Sequence, residues 1–218
     1  MNLFSFLVSV GFWPALAQQV LLILLTVLLA LAVGLPLGFA SYKYHALTPP
    51  LIGLVNLLQT LPAFAVLGLF MALGLQNFTT SLLLAFLYTV LPVIFGTEKG
   101  LRRIGRAPID AALGMGMTGW QVLRRVLLPL ASPQILPGVR RAVITAVGTT
   151  TLATLHGGGL GVLILDGIYT GDTQRLLAGA VPACLLVLAA NGSMALLHRR
   201  FVPAPLRRKE QREVFIEK

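Results

Sequence analysis

The sequence predicts an all-α integral membrane protein with five transmembrane helices. Apolar residues occupy 56% of the 218 positions and charged residues only 11%, whereas about a quarter of the residues in a soluble domain are charged. The mean hydropathy of +0.86 favours the same class. Five stretches are apolar and long enough to cross a bilayer, which takes about 20 residues per helix. These stretches cover residues 16–42, 50–75, 79–97, 138–155 and 176–197.

Span one contains Gly34, Pro36 and Gly38, a spacing of small residues that lets another helix approach closely. Span two carries Asn56, Gln59 and Thr60 at positions i, i+3 and i+4, on one face of a helix. Span four is rich in hydroxyl groups, including those of Thr149 and Thr150. Because polar groups within a bilayer need a partner or water, both sets form interhelical hydrogen bonds or line a solute path. The sequence leaves these two interpretations open.

The cations predict the orientation of the spans. Sixteen of the seventeen Lys and Arg residues are assigned to one side: Lys43, eight between spans three and four, and seven after span five. Only Arg175 is assigned to the other side. Since cytoplasmic loops are enriched in cations, we expect the N-terminus outside and the C-terminus in the cytoplasm. A transmembrane domain would cover residues 1–198, with a cytoplasmic loop at 98–137, and a basic cytoplasmic tail would cover residues 199–218.

The loop between spans three and four contains a short predicted helix. Pro108, Ile109 and Asp110 indicate a helix start, where the helix dipole favours an acidic side chain. The small residues that follow end at Gly116. Such a helix either enters a groove on another protein or is an ordinary amphipathic surface helix.

The residues do not predict catalysis. The glycine run at 157–161 is not followed by the Lys and the Ser or Thr of a P-loop, so we expect no nucleotide site. The three histidines fall in separate loops or span ends, and the single cysteine, Cys184, excludes an internal disulfide and a thiolate cluster. We expect a non-enzymatic chain with no cofactor or metal of its own and no nucleic-acid partner.

The loop resembles the EAA loop of the permease subunits of binding-protein-dependent ABC importers, written E-A-A-x-x-x-G-x(9)-I-x-L-P. Asp110-Ala-Ala, Gly116 and Val126-x-Leu-Pro129 meet its spacing, with Asp in place of Glu and Val in place of Ile. The resemblance implies that this helix docks into a cleft of a cytoplasmic ATPase. It assigns the coupling role to Asp110, Ala111, Ala112, Gly116 and Pro129.

Further segments resemble the osmoprotectant branch of these permeases, whose members carry glycine betaine, choline or carnitine. The segments are Gly34-Leu-Pro-Leu-Gly38, Asn56-Leu-Leu-Gln-Thr-Leu-Pro62, Gly114-Met-Gly-Met-Thr-Gly-Trp-Gln-Val-Leu123, Gly148-Thr-Thr-Thr-Leu-Ala153 and Gly157-Gly-Gly-Leu-Gly161. His156 departs from the branch, which has a small residue before the glycine run. It is a candidate contact at the outer mouth for a binding protein or a solute, or an interfacial histidine without a transport role.

The resemblance implies the MetI-like permease fold of type I ABC importers, in a bacterial or archaeal inner membrane. The implied partners are a dimer of cytoplasmic ABC ATPases, which uses ATP and Mg, an extracytoplasmic substrate-binding protein and a second permease subunit, identical or paralogous. Asn56, Gln59, Thr60, Thr149 and Thr150 are candidates for the translocation path. The alternatives are a type I permease for methionine, taurine or a sulfonate, an ATP-independent channel, and a membrane scaffold.

Overall fold

The computed structural model describes residues 3–75, 77–154 and 158–201, which form helices joined by short turns, with no β-strand in these ranges. The helical class predicted from composition is therefore confirmed. In chain order the α-helices are α1 (Leu3–Ser9), α2 (Phe12–Lys43), α3 (Thr48–Thr60), α4 (Ala63–Ala72), α5 (Phe78–Arg102), α6 (Arg106–Gly114), α7 (Gly119–Val122), α8 (Leu128–Ala153), α9 (Leu160–Thr170) and α10 (Thr173–Phe201).

The predicted second span is broken into two helices. α3 and α4 meet at an angle of 83°. Leu61 and Pro62 between them have extended backbones, with ψ of 126° and 125°. Proline lacks an N–H group and disfavours the helical conformation of the residue before it, so the chain turns at this point.

Among the described residues, three helices are long and apolar enough to cross a membrane, namely α2, α5 and residues Thr173–His198 of α10, and the bent pair α3–α4 would make a fourth. α8 covers the fourth predicted span but begins ten residues earlier, at Leu128, and contains Arg140 and Arg141. It is not among the helices that meet the same test of length and composition. The count of five spans thus stays a prediction.

α5 lies between α2 and α8 and makes its main contacts with both. Gly34 and Gly38 of α2 face α5, where an added Cβ would lie 2.8 Å from Val93 Cβ and 2.6 Å from Thr97 Cβ. The close approach predicted from the Gly34–Gly38 spacing is therefore found, within one chain. Apolar side chains of α2, α3, α5 and α8 form the central core, which includes Ala30, Val55, Val90, Leu91, Val93, Ile94 and Ala142.

Three prolines lie inside or at the start of α8, in a segment that the sequence analysis assigned to the loop at 98–137. Pro133 cannot donate to the carbonyl of Pro129, and the hydroxyl of Ser132 donates to that oxygen instead, at 2.8 Å. Before Pro129 the helix widens into a π turn at Leu123–Leu127, where Leu128 N–H donates to Leu123 O. These adjustments keep residues 119–153 helical. Helices α5 and α8 thus extend into both ends of the predicted loop.

Candidate functional site

Helix α6 contains the residues predicted to contact an ATPase, and it ends in a glycine-dependent cap. Gly116 N–H donates to Leu113 O at 2.9 Å, and Met117 N–H donates to Ala112 O at 3.2 Å. This pair of hydrogen bonds defines a Schellman motif, in which the residue after the helix adopts the left-handed conformation. Gly116 has the required φ of +80°. The sequence thus has a glycine where the backbone demands one.

The start of this helix differs from the prediction. α6 begins at Arg106, two residues before Pro108, and its first turn contains no acidic residue. Asp110 lies in the fifth helical position and is exposed. It therefore does not interact with the unpaired N–H groups of the first turn, and the expected helix-dipole role for Asp110 is wrong. Its side chain is instead available on the surface of α6.

One side of α6 is fixed to the ends of the long helices. Ala112 is only 1% exposed and belongs to a cluster with Leu101 of α5 and Ala131 of α8. The remaining buried members of this cluster are Val122 and Leu127, and the side chains packed at its edge include Phe39 and Tyr42 of α2. A small side chain at Ala112 allows α6 to lie close to these helices. The cluster thus joins α6 to the ends of α2, α5 and α8.

The other side of α6 and the turn after it expose apolar side chains. Leu113 is 50% exposed, Met115 72% and Trp120 68%. Ala111 and Gly116 are also exposed, and so is Pro129 in the first turn of α8. Exposed apolar groups at one end of a protein indicate a contact surface. Leu113, Met115 and Trp120 were not among the predicted contact residues, although their apolar character beside small residues was a usable signal.

Helix α7 is held in place by its N-terminal cap. The Thr118 hydroxyl accepts from Gln121 N–H, and the Gln121 side chain accepts from Thr118 N–H at 2.8 Å. This reciprocal capping box satisfies two N–H groups at the start of the helix. It fixes the direction in which the chain leaves the exposed turn at 115–118 and enters α8.

The polar face of α3 is exposed in the single chain. Asn56, Gln59 and Thr60 all lie on the accessible surface, and the Thr60 hydroxyl donates to Leu57 O at 2.7 Å. Gln59 lines a pocket between α3, α5 and α8. Asn56 and Gln59 are thus accessible in the single chain. Their assignment to a translocation path stays a prediction.

The hydroxyl groups of α8 are buried instead. Thr149 donates to Thr145 O at 2.8 Å, and Thr150 donates to Ala146 O at 2.7 Å. Thr150 is fully buried and also accepts from Gln19 Nε2 of α2 at 2.8 Å. In this conformation Thr150 is inaccessible to a solute, which favours the interhelical hydrogen-bond interpretation for this residue. Its place on the path, like that of Thr149, remains untested.

Gln19 is a residue that the sequence analysis missed. It is fully buried, and its Oε1 accepts from the hydroxyl of Thr154 at 3.2 Å. The Thr154 oxygen in turn accepts from Gly161 N–H, so the amide links α2, α8 and the start of α9. Two adjacent amides, Gln18 and Gln19, near the start of a mostly apolar first span were the available signal. His156 lies outside the described residues, between Thr154 and this helix start.

At the opposite end of the molecule, Asp172 caps α10 and pairs with Arg175. Its Oδ1 accepts from Gln174 N–H at 2.9 Å, and its Oδ2 lies 3.3 Å from Arg175 Nε. Within the described part of the chain, no group of three His, Cys, Asp or Glu side chains is arranged to hold a metal ion. The candidate site is therefore made of a contact surface and helix faces.

Comparisons with known proteins agree with this arrangement. Residues 30–203 match the family described as the binding-protein-dependent transport system inner membrane component. The chain is 40% identical over 179 residues to the glycine betaine/carnitine/choline transport system permease protein OpuCD of Bacillus subtilis, covering 81% of this chain and 78% of that protein. It is 38% identical over 191 residues to the osmoprotectant import permease protein OsmW of Salmonella typhimurium, covering 84% and 86%.

The fold is similar to that of solved transporters. A chain of the inward-facing MetNI methionine ABC transporter aligns with a TM-score of 0.74 at 21% identity, covering 93% of this chain and 100% of that one. The MetI-like fold and the resemblance to osmoprotectant permeases are thereby confirmed. These relatives are transport subunits rather than enzymes, and the family is located in the inner membrane. The chain belongs to the family of inner membrane components of binding-protein-dependent transport systems.

Proposed function

We propose that the chain is the permease subunit of an ATP-driven importer of osmoprotectants such as glycine betaine, choline or carnitine. The observation that carries this proposal is the similarity to permeases with these names at 38–40% identity over more than three quarters of each chain. The assignment to an importer permease, whatever its solute, is supported by the family match, which covers residues 30–203.

The contact surface on α6 supports coupling to a separate ATPase. Asp110, Ala111 and Gly116 are exposed on this surface. It also contains the exposed side chains of Leu113, Met115 and Trp120, whereas Ala112 is buried and holds α6 in place. In the proposed cycle, two ATPase subunits bind ATP with Mg and close. Their movement displaces α6, and the Ala112 cluster transmits that displacement to α5 and α8. The membrane helices then shift between outward and inward access, a two-state equilibrium that ATP and the loaded binding protein bias.

The proposed orientation has α6 in the cytoplasm and the N-terminus outside. Lys43, Arg103 and Arg106 lie at the α6 end of the helices, whereas Arg175 lies at the opposite end and pairs with Asp172. A cation excess at one end agrees with a cytoplasmic location for that end. The outer end would receive the binding protein, with His156 as a candidate contact. A second permease subunit would complete the path along Asn56, Gln59 and Thr60.

The alternatives use the same fold differently. A methionine, taurine or sulfonate permease would share α6, and an ATP-independent channel would have no use for the exposed surface around it. The named relatives favour osmoprotectants over the first alternative, and the family's dependence on a binding protein disfavours the second.

Reconstitution tests this proposal. The chain is assembled in proteoliposomes with its ATPase and binding protein, and uptake of radiolabelled glycine betaine, carnitine and choline is measured with ATP or ADP at the ATPase side. We expect accumulation of at least one of these solutes with ATP only. Accumulation of methionine or taurine instead would contradict the osmoprotectant assignment, and flux that is independent of ATP would identify a channel.

A further inference from the structure

A pocket of about 380 Å³ lies where α3, α5 and α8 meet. Four polar side chains line it: Gln59 of α3, Lys99 of α5, and Gln134 and Arg141 of α8. The apolar part of its wall comprises Pro92, Phe95, Gly96, Pro137 and Gly138. This volume lies within the range of pockets that bind small molecules, about 300–1,000 Å³. Two cations and two amides converge on a space of the size of a small solute.

The two cations have no carboxylate partner among the described residues. Arg102 pairs with Glu98 and Arg175 pairs with Asp172, and neither of these ion pairs involves Lys99 or Arg141. Glu98 precedes Lys99 but is buried against Arg102, which also donates to Thr48 at 2.7 Å. None of the described residues that line the pocket is acidic. The pocket therefore presents uncompensated positive charge and amide groups to whatever occupies it.

The pocket is formed by helices rather than by a loop, and the side chains of Gln59, Lys99 and Arg141 are exposed to it in the single chain. Lys99 lies inside α5 and Arg141 lies in the middle of α8, so neither belongs to a loop. α5 and α8 cross at Gly96 and Gly138, where an added Cβ on Gly96 would lie 2.8 Å from Gly138 Cα. Ionisable groups within membrane helices are costly and usually face a water-filled cavity or a solute path.

We propose that this pocket binds the carboxylate of a zwitterionic quaternary-ammonium solute, so that the permease itself selects betaines over choline, which has a hydroxyl group instead. This inference rests on the proposed function and adds a site to it. Lys99, Arg141 and the amides of Gln59 and Gln134 donate to the carboxylate, and hydrogen bonds between cations and carboxylates are the strong ones.

Phe95 provides a complementary surface for the cationic end of the solute. It lines the same pocket and lies one helical turn before Lys99 on α5, so the two side chains share a helix face. A quaternary ammonium group is attracted to the face of an aromatic ring. The anion-binding groups and the ring thus line one pocket of about 380 Å³, in which one short zwitterion would contact both.

The experiment measures binding to the permease–ATPase complex in nanodiscs without the binding protein, so that the selectivity of the binding protein does not contribute. Radiolabelled glycine betaine is titrated by equilibrium dialysis, with choline as the competitor. We expect glycine betaine to bind more tightly than choline. Lys99→Gln and Arg141→Gln should each weaken glycine betaine binding about tenfold, the loss typical of a hydrogen bond to a charged group. Lys99→Arg should retain binding.

Arg140→Gln is the matched control. Arg140 adjoins Arg141 on α8 but donates to Asn191 Oδ1 of α10 at 2.8 Å and does not line the pocket. Neutralisation of Arg140 should change the dissociation constant of glycine betaine by less than about twofold. If only the total positive charge mattered, Arg140→Gln and Arg141→Gln would weaken binding alike.

Three outcomes would overturn the inference. The first two are equal binding of choline and glycine betaine, and binding of glycine betaine that is unchanged in Lys99→Gln and Arg141→Gln. The third is binding that requires anionic lipid, which would show that a lipid headgroup occupies the pocket. Uptake by the wild-type complex separates this failure from that of the proposed function. If glycine betaine is accumulated but does not bind through these cations, only the pocket assignment fails. If no osmoprotectant is accumulated, the proposed function fails.

Discussion

Two glycines near the end of α6 have different physical roles although both are exposed. An added Cβ would contact no atom within 4 Å at either Gly114 or Gly116. Gly114 has a helical backbone, whereas Gly116 has a φ of +80°. The left-handed conformation costs residues other than glycine roughly 1–2 kcal/mol. The need for glycine at position 116 is therefore conformational rather than steric.

Gly116→Ala should weaken docking of the ATPase about tenfold, because strain at this position disturbs the cap that orients Met115 and the turn after it. Gly114→Ala is the control, and since alanine favours a helix over glycine by about 1 kcal/mol, it should retain docking. The measurement is the dissociation constant of the detergent-solubilised complex. Equal constants for the two variants would show that the cap has no part in coupling.

The crossing of α5 and α8 depends on the absence of side chains at two positions. An added Cβ on Gly138 would lie 2.8 Å from Pro92 O and 2.9 Å from Gly96 Cα. Both atoms belong to the backbone, so neither can move without displacing a helix. This crossing also forms one wall of the pocket that contains Lys99 and Arg141. Helix packing and the shape of the candidate solute site are thus determined by the same residues.

Gly138→Ala should destabilise the chain by about 1–3 kcal/mol, the usual cost of overpacking. Gly148→Ala on the same helix should be neutral or slightly stabilising, because no atom lies within 4 Å of the added Cβ. The midpoint of thermal unfolding in detergent compares the two variants. A midpoint for Gly138→Ala that equals that of the wild type would mean that α5 and α8 do not cross so closely.

At the scale of the whole molecule, the two ends of the helix bundle differ in chemistry. One end carries α6, the exposed Met115 and most of the described cations, and the other carries Tyr169 and the Asp172–Arg175 pair. This asymmetry predicts which end faces the cytoplasm. The single native cysteine, Cys184, is exposed on α10 and would have to be replaced before labelling.

In a Cys184→Ala background, Met115→Cys and Tyr169→Cys report on the two ends. A membrane-impermeant maleimide added to intact cells should label Tyr169→Cys at least about tenfold faster than Met115→Cys, because a charged reagent does not cross the bilayer core. Inside-out vesicles stripped of the ATPase should show the reverse preference. Labelling of Met115→Cys from outside intact cells would reverse the proposed orientation.

Hydropathy and motif spacing were sufficient to predict the helical class, the short helix that contains Asp110 and one close contact between helices. In a bilayer, the backbone N–H and C=O groups of a long apolar segment must form hydrogen bonds within the protein, and a helix pairs them all within the segment. The helical class therefore follows from composition. The residues from Pro108 to Asp110 located the start of α6 within two residues. The glycines at positions 34 and 38 predicted a close helix contact, because that property depends only on side-chain size and spacing.

The partners of polar groups could not be predicted in the same way, because they depend on contacts between helices far apart in sequence. Thr150 is satisfied by Gln19, which precedes it by 131 residues. Lys99 and Arg141 belong to separate helices and share a pocket only because Gly96 and Gly138 let those helices cross. Local sequence therefore determined the helices and the position of α6, whereas the packing of α2, α5 and α8 determined which polar groups are buried and which line the pocket.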